Sequence, residues 1–261
     1  MKNKNRGKKI DYNIVLPVII LLVSILCASS YYLISNLVKD KKENDEFKNL
    51  EQMIIENNTN ENEEIKEEKS NTANYSNLDL KSLKSQNNDL KGWIKIDGTN
   101  INYPVMQNGN YYLRRNFYKE YSKLGTPYLT DYCNLRTSDI LTIFGYHINQ
   151  GYMFADLIKY QNYDFYKSHK YIKFYRLENE QTIENIYEVC FALKIKAENY
   201  NYYSYTNFYD LDDFKEYVQN CQKLSLYNTE TKFDYGNKFI TLSTCEYSQD
   251  NGRMIVIGVK R

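Results

Sequence analysis

From Tyr12 to Val38 the chain carries no charged side chain, and the apolar heart of that run, Ile14 to Ile34, is 21 residues long. Wound as an α-helix it would measure about 31 Å at roughly 1.5 Å per residue, enough to cross a hydrocarbon core of about 30 Å. Pro17 falls near its start, where a helix tolerates it. The pattern then changes. Phe47, Leu50 and Ile54 recur at helical spacing among charged residues, and Glu56 to Ser76 holds too few apolar groups to fold alone. From Leu78 onward a strand-rich pattern of short apolar runs takes over, with apolar and small polar residues alternating through Phe239–Thr244. It predicts strands at Trp93–Ile96, Ile101–Met106, Ile140–Phe144, Tyr171–Leu177, Ile186–Lys196, Phe239–Thr244 and Met254–Val259. Short helices are predicted at Leu78–Leu90, Phe154–Tyr160 and Leu211–Cys221. Many strands and few helices indicate a mostly β domain, either a closed barrel or a sandwich, and periodicity alone does not choose between them.

Charge orients the apolar run. Lys2, Lys4, Arg6, Lys8 and Lys9 precede it with no acid among residues 1–10, which keeps the N-terminus in the cytoplasm and the rest of the chain outside. Ala28-Ser29-Ser30 could serve as the cleavage site of a secretory signal, but apolar character resumes through Tyr31, Tyr32, Leu33 and Ile34. An uncleaved signal anchor is therefore expected. Residues 40–70 hold eleven acids against five lysines. The organisation read from these shifts is a cytoplasmic basic tail (1–11), a single-pass transmembrane anchor (12–38), an acidic linker or helical spacer (39–77) and one globular domain (78–261). That domain is close to neutral, which argues against nucleic acid as a partner, since phosphate binding needs a basic face. The 28 tyrosines read as general composition.

Candidate chemistry centres on Cys245, with Arg253 eight positions beyond it. The connection Glu246 to Gly252 is polar and ends in Asn251-Gly252, a turn signal. Two adjacent strands with so short a link would set the thiol at one strand end and the guanidinium at the start of the next. That arrangement suits a thiolate attacking a carbonyl, with arginine stabilising the oxyanion. Cys27 falls in the apolar run, and the spacings of Cys133, Cys190, Cys221 and Cys245 match no compact disulfide scaffold; Cys190 and Cys221 read as packing residues. Of the two histidines, His147 follows a predicted strand and is the candidate acid–base group, whereas His169 reads as structural. No metal-ligand spacing and no phosphate-binding glycine loop is present, so neither a metal nor a cofactor is expected.

The run Thr241-Leu242-Ser243-Thr244-Cys245 with Arg253 resembles the active-site signature of sortases, the cysteine transpeptidases of Gram-positive cell surfaces, and specifically class B. Asn88 to Thr99 followed by Ile101 to Val105 resembles the family's opening helix end and first strands, and Gly151 to Leu157 with Phe165 to His169 its middle section. Together these segments cover about Leu78 to Arg261. The resemblance implies a closed sortase-type β-barrel with a few short helices, the helix near Leu211 lying beside the substrate groove. It implies a membrane-anchored enzyme that cleaves a Thr–X bond in the C-terminal sorting signal of surface proteins. The acyl group would pass to an amine of a peptidoglycan precursor or pilin. Cys245 would be the nucleophile, His147 the acid–base group, Arg253 the oxyanion partner, and Ser243 and Glu246 substrate contacts. One departure stands out: the family's histidine usually follows the glycine directly, whereas here the order is Gly145-Tyr146-His147, and a gapless count puts Tyr146 on that position. Two other readings share these residues, a catalytically weak extracellular binding module and a simple cysteine hydrolase.

Overall fold

The computed structural model describes residues 12–56 and 79–261. The predicted basic tail 1–11 and the 57–77 part of the predicted spacer lie outside the described residues. The chain divides into two compact units, 1–42 and Glu43–Arg261. A single helix, α1 (Tyr12–Glu56), runs through the boundary. In the first unit its apolar side chains, among them Leu16, Ile20, Leu21 and Leu26, are exposed. By length and composition α1 is apolar enough to cross a membrane.

The second unit begins upstream of Leu78, because Phe47 and Leu50, three residues apart on α1, are buried in its core. The short α2 (Leu80–Gln86) starts where the Asp79 side chain accepts from the amide of Ser82, an N-cap that satisfies one orphan donor. Eight strands follow: β1 (Leu90–Lys95), β2 (Asn102–Met106), β3 (Tyr128–Leu129), β4 (Ile140–Phe144), β5 (Tyr171–Glu178), β6 (Gln181–Lys196), β7 (Phe239–Glu246) and β8 (Gly252–Lys260). They close into a barrel in the order β1-β2-β3-β4-β7-β8-β6-β5. Closure leaves no free sheet edge and decides the barrel-or-sandwich question. Most neighbours are antiparallel, but β2–β3 and β4–β7 pair in parallel.

The predicted strands are all present, with β4 at its predicted limits. The two-residue β3 was not anticipated, since its strand character comes only from pairing with β2 and β4. The predicted helix at Phe154–Tyr160 is a 3-10 turn at Ala155–Gln161, and α3 (Tyr163–Ser168) follows it. In the β6–β7 connection, α4 (Leu211–Leu224) is capped by Asp210, whose carboxylate accepts from the amides of Asp212 and Asp213. Phe214, Tyr217 and Cys221, at i, i+3 and i+7, form its buried face.

Strand alternation sorts β7 and β8 between two apolar clusters. Ile240, Leu242, Met254 and Val256 join the main core. Phe239, Ile255, Ile257 and Val259 join a second cluster with Phe214, Tyr217 and Cys221 of α4. By the period of two, Thr241, Ser243 and Cys245 share the face of Phe239, so the candidate thiol lies on the α4 side of the sheet.

Candidate active site

Cys245 is the penultimate residue of β7 and pairs directly with Arg253, the second residue of β8. Opposed residues of an antiparallel pair project from the same face, so the eight-residue spacing becomes a thiol beside a guanidinium. Both are half-buried. The Arg253 Nη1 donates to the carbonyl of Gly252 at 2.8 Å, which steadies the fork next to the strand end. The other described thiols of this unit are sequestered. Cys133, Cys190 and Cys221 are buried; burial pushes the Cys190 thiol well up, and the Cys221 thiol up to about 12. A thiol held protonated is inert, which leaves Cys245 as the accessible one.

Cys245 and Arg253 open onto a cavity of about 430 Å³ whose wall also carries Ser243, Thr244, Phe144, Gly145, Tyr146, Tyr128, Tyr202 and Tyr203. Among the described lining residues Arg253 is the one permanently charged side chain. An oxyanion forming on this mostly apolar wall would meet that charge with little solvent screening. Burial pushes the Tyr128 phenol up to about 12. It also raises Tyr202, against the bond that Tyr202 shares with Ser243. These phenols therefore stay neutral and place no competing anion beside the thiol.

The histidine segment leaves the β4 ladder at Phe144, the last residue paired with β7. Gly145 stays close to β7: its amide donates to the carbonyl of Ser243 at 3.1 Å, and its carbonyl accepts from Thr244 Oγ1 at 2.8 Å. A hairpin then closes through an isolated bridge between His147 and Met153 and a bond from the Phe154 amide to the Tyr146 carbonyl at 2.8 Å. The result separates the two neighbours. Tyr146 lines the cavity, under the Arg114 guanidinium at 5.3 Å from its ring centroid. His147 is not among the lining residues; its Nδ1 lies 3.0 Å from the main-chain carbonyl of Cys245. A carbonyl oxygen only accepts, so this bond puts a proton on Nδ1 and, in the neutral ring, leaves the lone pair on Nε2. The Tyr247 ring stacks on the imidazole with centroids 4.9 Å apart, and its hydroxyl donates to the His147 carbonyl at 3.0 Å.

The remaining site candidates divide. The Ser243 hydroxyl is on the wall but bonded to the Tyr202 hydroxyl at 2.7 Å. Glu246 lies off the wall, ion-paired to Lys194 at 3.4 Å and accepting from Ser248 Oγ at 2.9 Å. His169 stacks on Phe165 with centroids 3.9 Å apart, away from the site. Tyr112, Tyr128, Tyr202 and Tyr203 were not anticipated as lining residues; Tyr146, which the gapless count had set on the histidine's position, joins them on the wall. No local signal separates those four from the other tyrosines, because segments far apart in sequence bring them together.

A thiol and a guanidinium at paired strand ends of a closed barrel, facing one cavity, suit a cysteine enzyme whose thiolate attacks a carbonyl beside a fixed cation. The sequence matches no protein-family model. It is 33% identical to the sortase B of Listeria monocytogenes over 188 residues, 69% of this chain and 73% of that protein. It is 27% identical to the sortase B of Staphylococcus aureus over 245 residues, 91% of this chain and 93% of that one. Among solved structures, the Staphylococcus aureus sortase B–substrate complex superimposes with a TM-score of 0.71 at 26% identity, covering 86% of this chain and 98% of that chain. The chain belongs to the sortase B family.

Proposed function

We propose that this transpeptidase is held in the cell membrane by the apolar part of α1, with its N-terminus in the cytoplasm and the barrel outside. There it cleaves a Thr–X bond in the sorting signal of surface proteins and passes the acyl group to an amine of a cell-wall precursor or pilin. The observation that carries the reading is the register pair Cys245–Arg253 on the wall of one cavity. The Cys245 thiolate attacks the threonine carbonyl, and Arg253 donates to the oxyanion. His147, protonated at Nε2, gives its proton to the departing amine as the thioester forms. The incoming amine then attacks the thioester, His147 takes its proton, and the thiolate leaves. Ser243, on the cavity wall, contacts the peptide; Glu246, off the wall, serves the β7–β8 turn instead. Support for a peptide donor comes from the relative solved as a substrate complex. Nucleic acid has no part in this reading.

The test is mass-spectrometric capture of a Cys245 thioester from a panel of quenched peptides, each with one Thr–X bond, with and without triglycine as amine. Acyl transfer to the amine supports transpeptidation. A thioester that passes only to water would make the enzyme a hydrolase, and absence of any thioester would leave a binding module. His147→Ala should lower cleavage by about 10²-fold, the usual loss for a general acid–base group. Tyr146→Phe should cost far less. The reverse pattern would assign the proton transfers away from His147.

A further inference from the structure

Tyr103 sits in β2 with 3% of its surface exposed, outside the catalytic cavity. Its hydroxyl donates to Asn44 Oδ1 of α1 at 3.0 Å and accepts from the amide of Met153 at 3.0 Å. Met153 is the β-bridge partner of His147. It is a fully buried residue held at φ 57°, in the left-handed region that side chains other than glycine rarely adopt. A backbone in that conformation persists only when its surroundings over-determine it, and the Tyr103 hydroxyl supplies the partner for its amide. On the other side the helix is itself fixed to the barrel. Glu43 Oε2 accepts from Ser122 Oγ at 2.6 Å, Glu46 accepts from Asn116 at 3.1 Å, and the Phe47 ring packs edge-on against Tyr103 at 5.4 Å. Burial raises the Tyr103 phenol far above its ordinary range, so the proton that reaches Asn44 is always present.

We propose that Tyr103 is a positioning residue of the reaction: its hydroxyl ties the return limb of the Tyr146–Phe154 hairpin to Asn44, so that the end of α1 holds the His147 imidazole in register with Cys245. Helix, phenol, Met153 amide and histidine form one continuous chain of contacts. The proposal rests on the acid–base role of His147 given above.

The experiment uses the full-length chain in detergent micelles and the panel peptide that the unmodified protein cleaves fastest. Tyr103→Phe, which removes one oxygen and keeps the ring, should lower kcat by about tenfold to a hundredfold, as a misplaced catalytic group does, with KM within about twofold. Asn44→Ala should act in the same direction. Both should speed amide hydrogen exchange in the hairpin peptide that contains Met153. On a His147→Ala background the Tyr103→Phe loss should vanish, because a positioning residue has nothing left to position. Unchanged kcat and exchange in Tyr103→Phe overturns the proposal, as does a loss that persists in full on the His147→Ala background. Silence of His147→Ala alone overturns the acid–base role and the positioning role together. A costly His147→Ala with a silent Tyr103→Phe overturns positioning only.

Discussion

Gly145 separates the last paired residue of β4 from Tyr146 and His147, and its missing side chain is where the Phe154 ring sits. A Cβ built on it would lie 2.5 Å from Phe154 Cγ and 2.7 and 2.9 Å from the two Cδ atoms. Ordinary carbon contacts begin near 3.5 Å, so in Gly145→Ala one partner must move by about 1 Å. Phe154 is fully buried in the main core and cannot swing into solvent. Gly145 in turn is held to β7 by bonds to Ser243 and Thr244. Overpacking of this kind costs about 1–3 kcal/mol. At roughly 2–4 °C per kcal/mol for a domain of this size, Tm should fall by about 2–12 °C. The displacement also lands on the hairpin, because the Phe154 amide bonds the carbonyl of Tyr146. A shift of about 1 Å at a catalytic group costs on the order of 10²-fold, so peptide cleavage should drop by that factor while the protein stays folded. Thermal unfolding followed by circular dichroism and kcat with a quenched Thr–X peptide measure the two effects. Relief of both by Phe154→Leu in the same chain would trace them to this contact. Gly145→Ala with the Tm and kcat of the parent would refute the packing argument.

Cys245→Ala should abolish thioester formation, while Cys133→Ala and Cys190→Ala retain it and lose stability instead; a maleimide under native conditions should label Cys245 ahead of the three buried thiols. Arg253→Lys keeps the charge but loses the planar fork, and should lower kcat by about 10²-fold or more with little change in peptide KM, in line with loss of an oxyanion donor; an equal KM effect would assign Arg253 to ground-state binding. Glu246 supplies a pH test. Burial favours its neutral form, but the bonds from Ser248 and the nearby Lys194 ammonium outweigh this and hold its carboxyl below the ordinary range. A depressed folded pKa means that the unfolded chain binds the proton first, so the contribution of Glu246 is present above about pH 4.3 and is lost as pH falls through the folded value. Urea unfolding at steps from pH 7 to pH 3 should show an acid-side loss that is shallower in Glu246→Gln; parallel curves would sink the assignment.

Local chemistry was enough to read much of this molecule. β7 alternates apolar and small polar positions, β4 and β8 are short apolar runs, and a short polar connection ending in Asn251-Gly252 makes β7 and β8 a hairpin, so the pairing of Cys245 with Arg253 follows from spacing. Helix α4 shows its buried face at helical intervals, and the uncharged run to Val38 states its own length. Such features depend on neighbours within a turn or a hairpin, which the chain writes out in order. The strand character of Tyr128–Leu129, the tyrosine wall, and the seating of Phe47 and Leu50 against the barrel depend on contacts between distant segments. So does the histidine. Counting residues left Tyr146 and His147 as rivals one position apart, and a one-residue shift changes the face a side chain points to. Only closure of the barrel, with β4 parallel to β7 and the Tyr146–Phe154 hairpin folded back over them, sets Tyr146 on the cavity wall and turns the imidazole to the Cys245 carbonyl. Those contacts join segments about a hundred residues apart, and no pattern read along the chain encodes them locally.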